Sequence, residues 1–221
     1  MELALTDGTN GRFFTKGSGY RYNDKKALSR ARYLYGLRAK AITTEVRMTR
    51  AQQLFNTYLG HKLQMHREGL LKEYQSYAVS PEQEEAWKRE LAAAKISSLS
   101  IRDWEAVAAL RQLAVVHPDP AILSEITAFA ARHVKSSDSL VKLSYAENMI
   151  DILKTLRKGG ALDKSTMLEA ARTAAGLLEA VIAQPLIADP GHELEAFGLK
   201  DKRSLNLRAK QGRDELDELI Q

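Results

Sequence analysis

From residue 80 onward the chain is marked by helix boundaries at short intervals, and that spacing constrains the fold more than any other feature. Ser80-Pro81-Glu82-Gln83 reads as a helix start, with an N-cap hydroxyl, proline at the first helical position and Gln83 placed to complete a capping box. The helix it opens is expected to reach about Lys95. Ser100-Ile101-Arg102-Asp103 reads as another start, for a helix ending near His117, and Asp119-Pro120 as the cap of one running to about Val134. A further helix is expected from Ser139 to Lys158, stopped by Gly159-Gly160, and another from Asp163 to Gln184, ended by Pro185. Beyond Pro190-Gly191 the pattern weakens to two short stretches, and the acidic DELDELIQ reads as a short final helix on a weakly ordered end.

Helices of about 15–20 residues joined by short turns lie antiparallel beside one another. Residues 80–221 therefore read as a helical bundle, with no convincing 30–45-residue repeat. Composition agrees: Ala, Leu, Lys, Arg and Glu abound, with only five prolines in 221 residues. The expected class is all-α, a long N-terminal helix plus an antiparallel bundle, preceded by a short arm, irregular or folded as a hairpin.

The arm is residues 1–23, where Gly8, Gly11, Gly17 and Gly19 interrupt any helix and RFFT-KGSG-YRYN suits a hairpin. The long helix occupies 24–79, its pattern running from Asp24 to Tyr77 without proline. Leu34, Leu37, Ala41, Met48, Ala51, Phe55 and Tyr58 recur on steps of three and four around Thr44, as in a helix packed along a partner. Gly36, Gly60 and Gly69 each weaken it by about 1 kcal/mol relative to Ala, and Gly60 marks a place for a break.

Charge separates this N-terminal part from the rest. Of 33 Lys and Arg and 28 Asp and Glu in the chain, residues 12–50 hold eleven and two, a local +9. The remainder carries 22 against 26, or −4, so one segment makes the whole protein basic at a net +5. A localised excess of this kind points to a localised anionic partner.

On a helical wheel of about 100° per residue, Leu28, Ala31, Tyr35, Ala39, Ile42 and Val46 form one apolar stripe. Seven of the eight basic residues in 25–50 (Lys25, Lys26, Arg30, Arg32, Lys40, Arg47 and Arg50) share an arc of roughly 160°. Arg38, Asp24 and Glu45 lie outside the arc, and Tyr33 sits within it. Like charges at helical spacing repel, and here the repulsion continues along roughly 39 Å unless an anion relieves it. Nucleic acid offers phosphates over such a length. The arm adds Arg12, Lys16 and Arg21 among Phe13, Phe14, Tyr20 and Tyr22, an interleaving that suits backbone contact with base stacking.

Other chemistries find little support. GRFFTKGS lacks the G-x-x-x-x-G-K-[ST] order of a phosphate loop, and it leads into YRYN rather than a helix. His61 and His66 are five apart and so diverge on a helix, no H-E-x-x-H occurs, and there is no cysteine to complete a zinc site. Histidines, Trp87 and Trp104 read as structural, and Glu82, Glu84 and Glu85 as first-turn carboxylates favoured by the helix dipole. No nucleophile motif such as G-x-S-x-G is present. No enzyme, metal or cofactor is expected.

The absence of cysteine fits a cytoplasmic location, and no apolar run of about 18 residues suggests a membrane span. The first functional expectation is a non-catalytic nucleic-acid-binding protein. It would contact a DNA or RNA backbone, with little base specificity, through Arg12, Lys16, Arg21, Lys25, Lys26, Arg30, Arg32, Tyr33, Lys40, Arg47 and Arg50. The alternative is a helical adaptor or complex subunit that docks an acidic partner, or a second copy, on the same long helix.

Overall fold

A computed structural model of the chain describes residues 48–160 and 162–220. Their regular structure is entirely helical, without a strand, and from Arg50 onward they cluster as a single compact unit. The arm and the basic segment as far as Arg47 lie outside the described residues.

Helix α1, described over 48–58, buries Ala51, Leu54 and Phe55 and stops where glycine permits a corner. The Gly60 N–H bonds the Phe55 carbonyl at 3.0 Å while Leu59 takes φ 52°, a six-to-one closure that ends the helix. A Cβ on Gly60 would stand 2.6 Å from the Phe55 ring, so this position admits only glycine without rearrangement. The expected long helix thus continues to Tyr77 in pieces: α2 (Lys62–Arg67) and α3 (Leu71–Ser76), separated by a second turn at 68–70. These short helices bury Met65 and Tyr74.

The capping signals place most of the later helices. Helix α4 (Pro81–Ser97) starts with the Ser80 hydroxyl accepting the Gln83 N–H, and it buries Trp87 in contact with Phe55 at 5.6 Å between ring centres. Helix α6 (Pro120–His133) is capped by Asp119 and continues into a 3-10 turn at Val134–Ser136. Helix α8 (Lys164–Ala183) is capped by Asp163. Helix α5 (Glu105–Val116) begins later than Ser100 suggested. The Tyr145 hydroxyl donates to the Ser100 carbonyl at 2.8 Å and accepts its N–H, holding that residue in a turn against the core.

Helix α7 (Ser139–Lys158) is the centre of the bundle, packed by α5, α6, α8 and α9. Leu140, Leu143, Met149, Ile150, Ile152, Leu153 and Leu156 are buried around its circumference, as expected of a helix with neighbours on every side.

The largest departure from expectation is C-terminal. A 3-10 turn at Leu194–Phe197 leads to α9 (Lys202–Ile220), one continuous 19-residue helix in place of weak stretches and a short end. It buries Leu205, Ala209, Gly212 and Leu216 on a line of spacing three and four, and a Cβ on Gly212 would meet Leu178 Cδ1 at 3.1 Å. Small residues at the centre of that line bring α9 close to α7 and α8. Their low hydrophobicity is what hid the helix in the sequence pattern.

Candidate functional site

Of the residues expected to contact nucleic acid, Arg50 is described. Arg12, Lys16, Arg21, Lys25, Lys26, Arg30, Arg32, Tyr33, Lys40 and Arg47 lie outside the described residues. Arg50 donates through Nε to Glu73 Oε1 at 2.9 Å, and the Tyr77 hydroxyl donates to the same oxygen at 3.1 Å. The carboxylate raises the Arg50 guanidinium, and the bond from Arg50 lowers Glu73 in turn. Arg50 therefore belongs to the charge balance of the helical unit, half exposed but already partnered.

Some acids of the helical unit are likewise engaged within it. Glu84 accepts the Tyr74 hydroxyl at 2.8 Å, Glu85 pairs with Lys88 at 3.0 Å, and Glu215 pairs with Lys154 at 2.6 Å. Residues 50–221 hold 23 basic and 24 acidic side chains, close to neutral.

A polar cluster assembled across the fold sits at the start of α7. Asp138, buried with its carboxylate sealed from water, accepts the Val141 N–H on Oδ1 at 2.8 Å as the N-cap. Its Oδ2 accepts the Asp189 N–H at 3.0 Å and the His192 ring, so the imidazole carries its hydrogen on Nδ1. Burial by itself raises the Asp138 carboxyl, but the three donors outweigh it and hold the group below the usual carboxylate range. Adjacent contacts fasten the same loop: Ser139 N–H to the Ile187 carbonyl at 2.9 Å, and buried Lys142 Nζ to Gln184 Oε1 at 3.0 Å. Trp104 packs on His192 and Phe197, at 4.8 Å and 4.7 Å between ring centres.

Donor atoms of Asp138, Asp189 and His192 lie within 4.8 Å of one another. As a cation cradle the arrangement is poor. The lone pairs of Asp138 are taken by three N–H groups, and the positive end of α7 opposes a metal ion there. The cluster is better suited to clasping the loop after α8 onto α7. Only half of it was readable in sequence, since an aspartate before Ser139 suggests an N-cap whereas His192 lies 54 residues away.

His117, at the end of α5, pins the α1 corner: Nε2 donates to the Leu59 carbonyl at 2.6 Å, and the ring stacks on Phe55. Burial lowers this imidazole. Beside it an open groove of about 590 Å³ runs between α4 and the α5–α6 turn, floored by Ala92, Ala93, Ile96, Val116, Pro118 and Ile122. Glu85, Lys88, Arg89, Asp119 and Glu125 line its edges, mixing both signs. Its one imidazole is His117, already engaged with Leu59, so the groove offers apolar surface rather than acid–base chemistry. No described helix is long and apolar enough to cross a membrane. Compared with protein-family models, with curated proteins and with solved structures, the chain matches none.

Proposed function

We propose that this chain binds nucleic acid without catalysis, gripping the phosphate backbone through the one-sided basic face of 25–47 with the aromatic-basic arm. The observation that carries this reading is the division of charge. Residues 12–50 have a local +9, whereas the helical unit from Arg50 onward is nearly neutral. Some of the carboxylates that a merely structural basic helix could have used, Glu84, Glu85 and Glu215, are satisfied by Tyr74, Lys88 and Lys154. A cationic strip with few local acids is relieved by phosphates, and each one neutralised releases counterions. Nothing in the pattern selects a base, so binding is expected to be sequence-tolerant.

The test is fluorescence anisotropy of labelled duplex DNA and single-stranded RNA over a salt series. Affinity should fall steeply with salt, and Arg32→Glu with Arg47→Glu should weaken it at least about tenfold and flatten the slope by about 0.9 per lost contact. Arg50→Glu should change binding far less, because Glu73 already holds that guanidinium. No binding at about 50 mM salt, or a slope indifferent to Arg32 and Arg47, overturns the proposal. Retention of an acidic protein in place of nucleic acid would assign the same face to docking.

A further inference from the structure

Opposite its buried line, α9 exposes Arg203, Leu207, Lys210, Asp214, Asp217 and Glu218. Their spacing places them within an arc of roughly 100°. Leu207, 59% exposed, is the most exposed large hydrophobic among the described residues. The basic residues come first and the acidic ones last, so the face is positive along its first half and negative along its second. That order opposes the helix's own dipole, which is positive at the Lys202 end and negative at the Ile220 end. Neighbours on the face also repel, Asp214 from Asp217 three residues on and from Glu218 four residues on.

Charges on the flanks of the same helix are satisfied within the chain. Glu215 takes Lys154 at 2.6 Å, Arg208 Nη2 reaches Glu147 at 2.8 Å, and Arg213 meets Glu179. The outward charges have no side-chain hydrogen bond or ion pair among the described residues, although Arg203 lies near Asp201. A charge order unfavourable to its own helix is relieved by a neighbour of reversed order. The same helix from another copy, laid antiparallel, presents that reversed order.

We propose that the outward face of α9 is a self-association surface, pairing with α9 of a second copy of this chain about a two-fold axis near Lys210 and Gln211. Antiparallel pairing about that axis sets Arg203 opposite Asp217 and Glu218 of the second copy, twice by symmetry. It opposes the two helix dipoles, sets each Leu207 beside the second copy's Asp214, and leaves each Lys210 between that Asp214 and the other Lys210. A parallel arrangement sets like charge against like. The face is one helix wide and roughly 28 Å long, small beside a standard interface. The dimer is therefore weak and salt-labile, with a dissociation constant on the order of 10–100 µM. This inference does not rest on nucleic-acid binding.

Sedimentation equilibrium of the nuclease-treated full chain, up to about 300 µM, tests it. A concentration-dependent dimer is expected at about 50 mM salt, weakened at least about tenfold at 500 mM. Arg203→Glu with Lys210→Glu makes the face wholly acidic, and Asp214→Lys with Asp217→Lys and Glu218→Lys makes it wholly basic. Each variant alone should be monomeric with an unchanged helical circular dichroism spectrum, because these side chains hold nothing within the chain. An equimolar mixture should recover the dimer, since each altered half then meets its opposite. A wild type monomeric at low salt, a dimer that both variants retain, or a mixture that stays monomeric overturns the proposal.

Discussion

Ala78 takes φ 49° in an exposed turn after α3, a left-handed conformation in which a Cβ crowds the backbone. Alanine to glycine ordinarily destabilises by loosening the unfolded chain, but here native strain is the larger effect. Ala78→Gly is expected to stabilise the protein by about 0.5–1 kcal/mol, read as a raised urea midpoint at unchanged slope. A lowered midpoint refutes it. His117 supplies a second residue-scale prediction. Burial lowers its imidazole, and so does Lys88, while the Leu59 carbonyl, Glu85 and Glu84 act against them. The unfolded chain therefore takes up a proton near the ordinary value of 6.5, before the folded chain does. Stability from this residue is complete above that range and declines as pH falls through it. Urea midpoints measured from about pH 7.5 to about pH 5.5 should drop more for wild type than for His117→Gln. Equal drops would show that His117 is not the group responsible.

At the scale of elements, sequence was informative where a boundary is set by a side chain acting locally. Ser80, Asp119 and Asp163 each cap the helix expected of them, because an N-cap bond spans only two or three residues. It failed where a distant group decides. Ser100 has the chemistry of a cap, yet the Tyr145 hydroxyl, 45 residues away, holds it in a turn, and α5 waits until Glu105. The long helix to Tyr77 is divided at Gly60, where a break was expected, and again at 68–70, where weakening alone did not predict a corner. Helix α9 is hard to see in sequence because its contact line uses Ala209 and Gly212, which pack by closeness rather than by hydrophobic bulk. The polar cluster at Asp138 was half legible for the same reason: the cap is local, and His192 arrives through the fold.

For the whole molecule, the distribution of charge organises what the chain can do. A strongly basic segment is joined to a near-neutral helical unit in which several acids pair with its own cations. The Asp138 clasp bears on the same scale, since it closes a loop between positions 54 apart and joins the start of α7 to the chain leading into α9. A closure over that separation is late to form, because its entropy is recovered only once α7 and α8 have met. The clasp should then guard the exit from the native state without hastening entry. Asp138→Ala is expected to cost about 2 kcal/mol and to appear almost wholly as unfolding some thirtyfold faster, with the refolding arm of the chevron unmoved. Slowed refolding would place the contacts of Asp138, cap or clasp, in the folding nucleus. If the arms behave as expected, one buried carboxylate sets how long the bundle stays shut, and a protease would measure that lifetime.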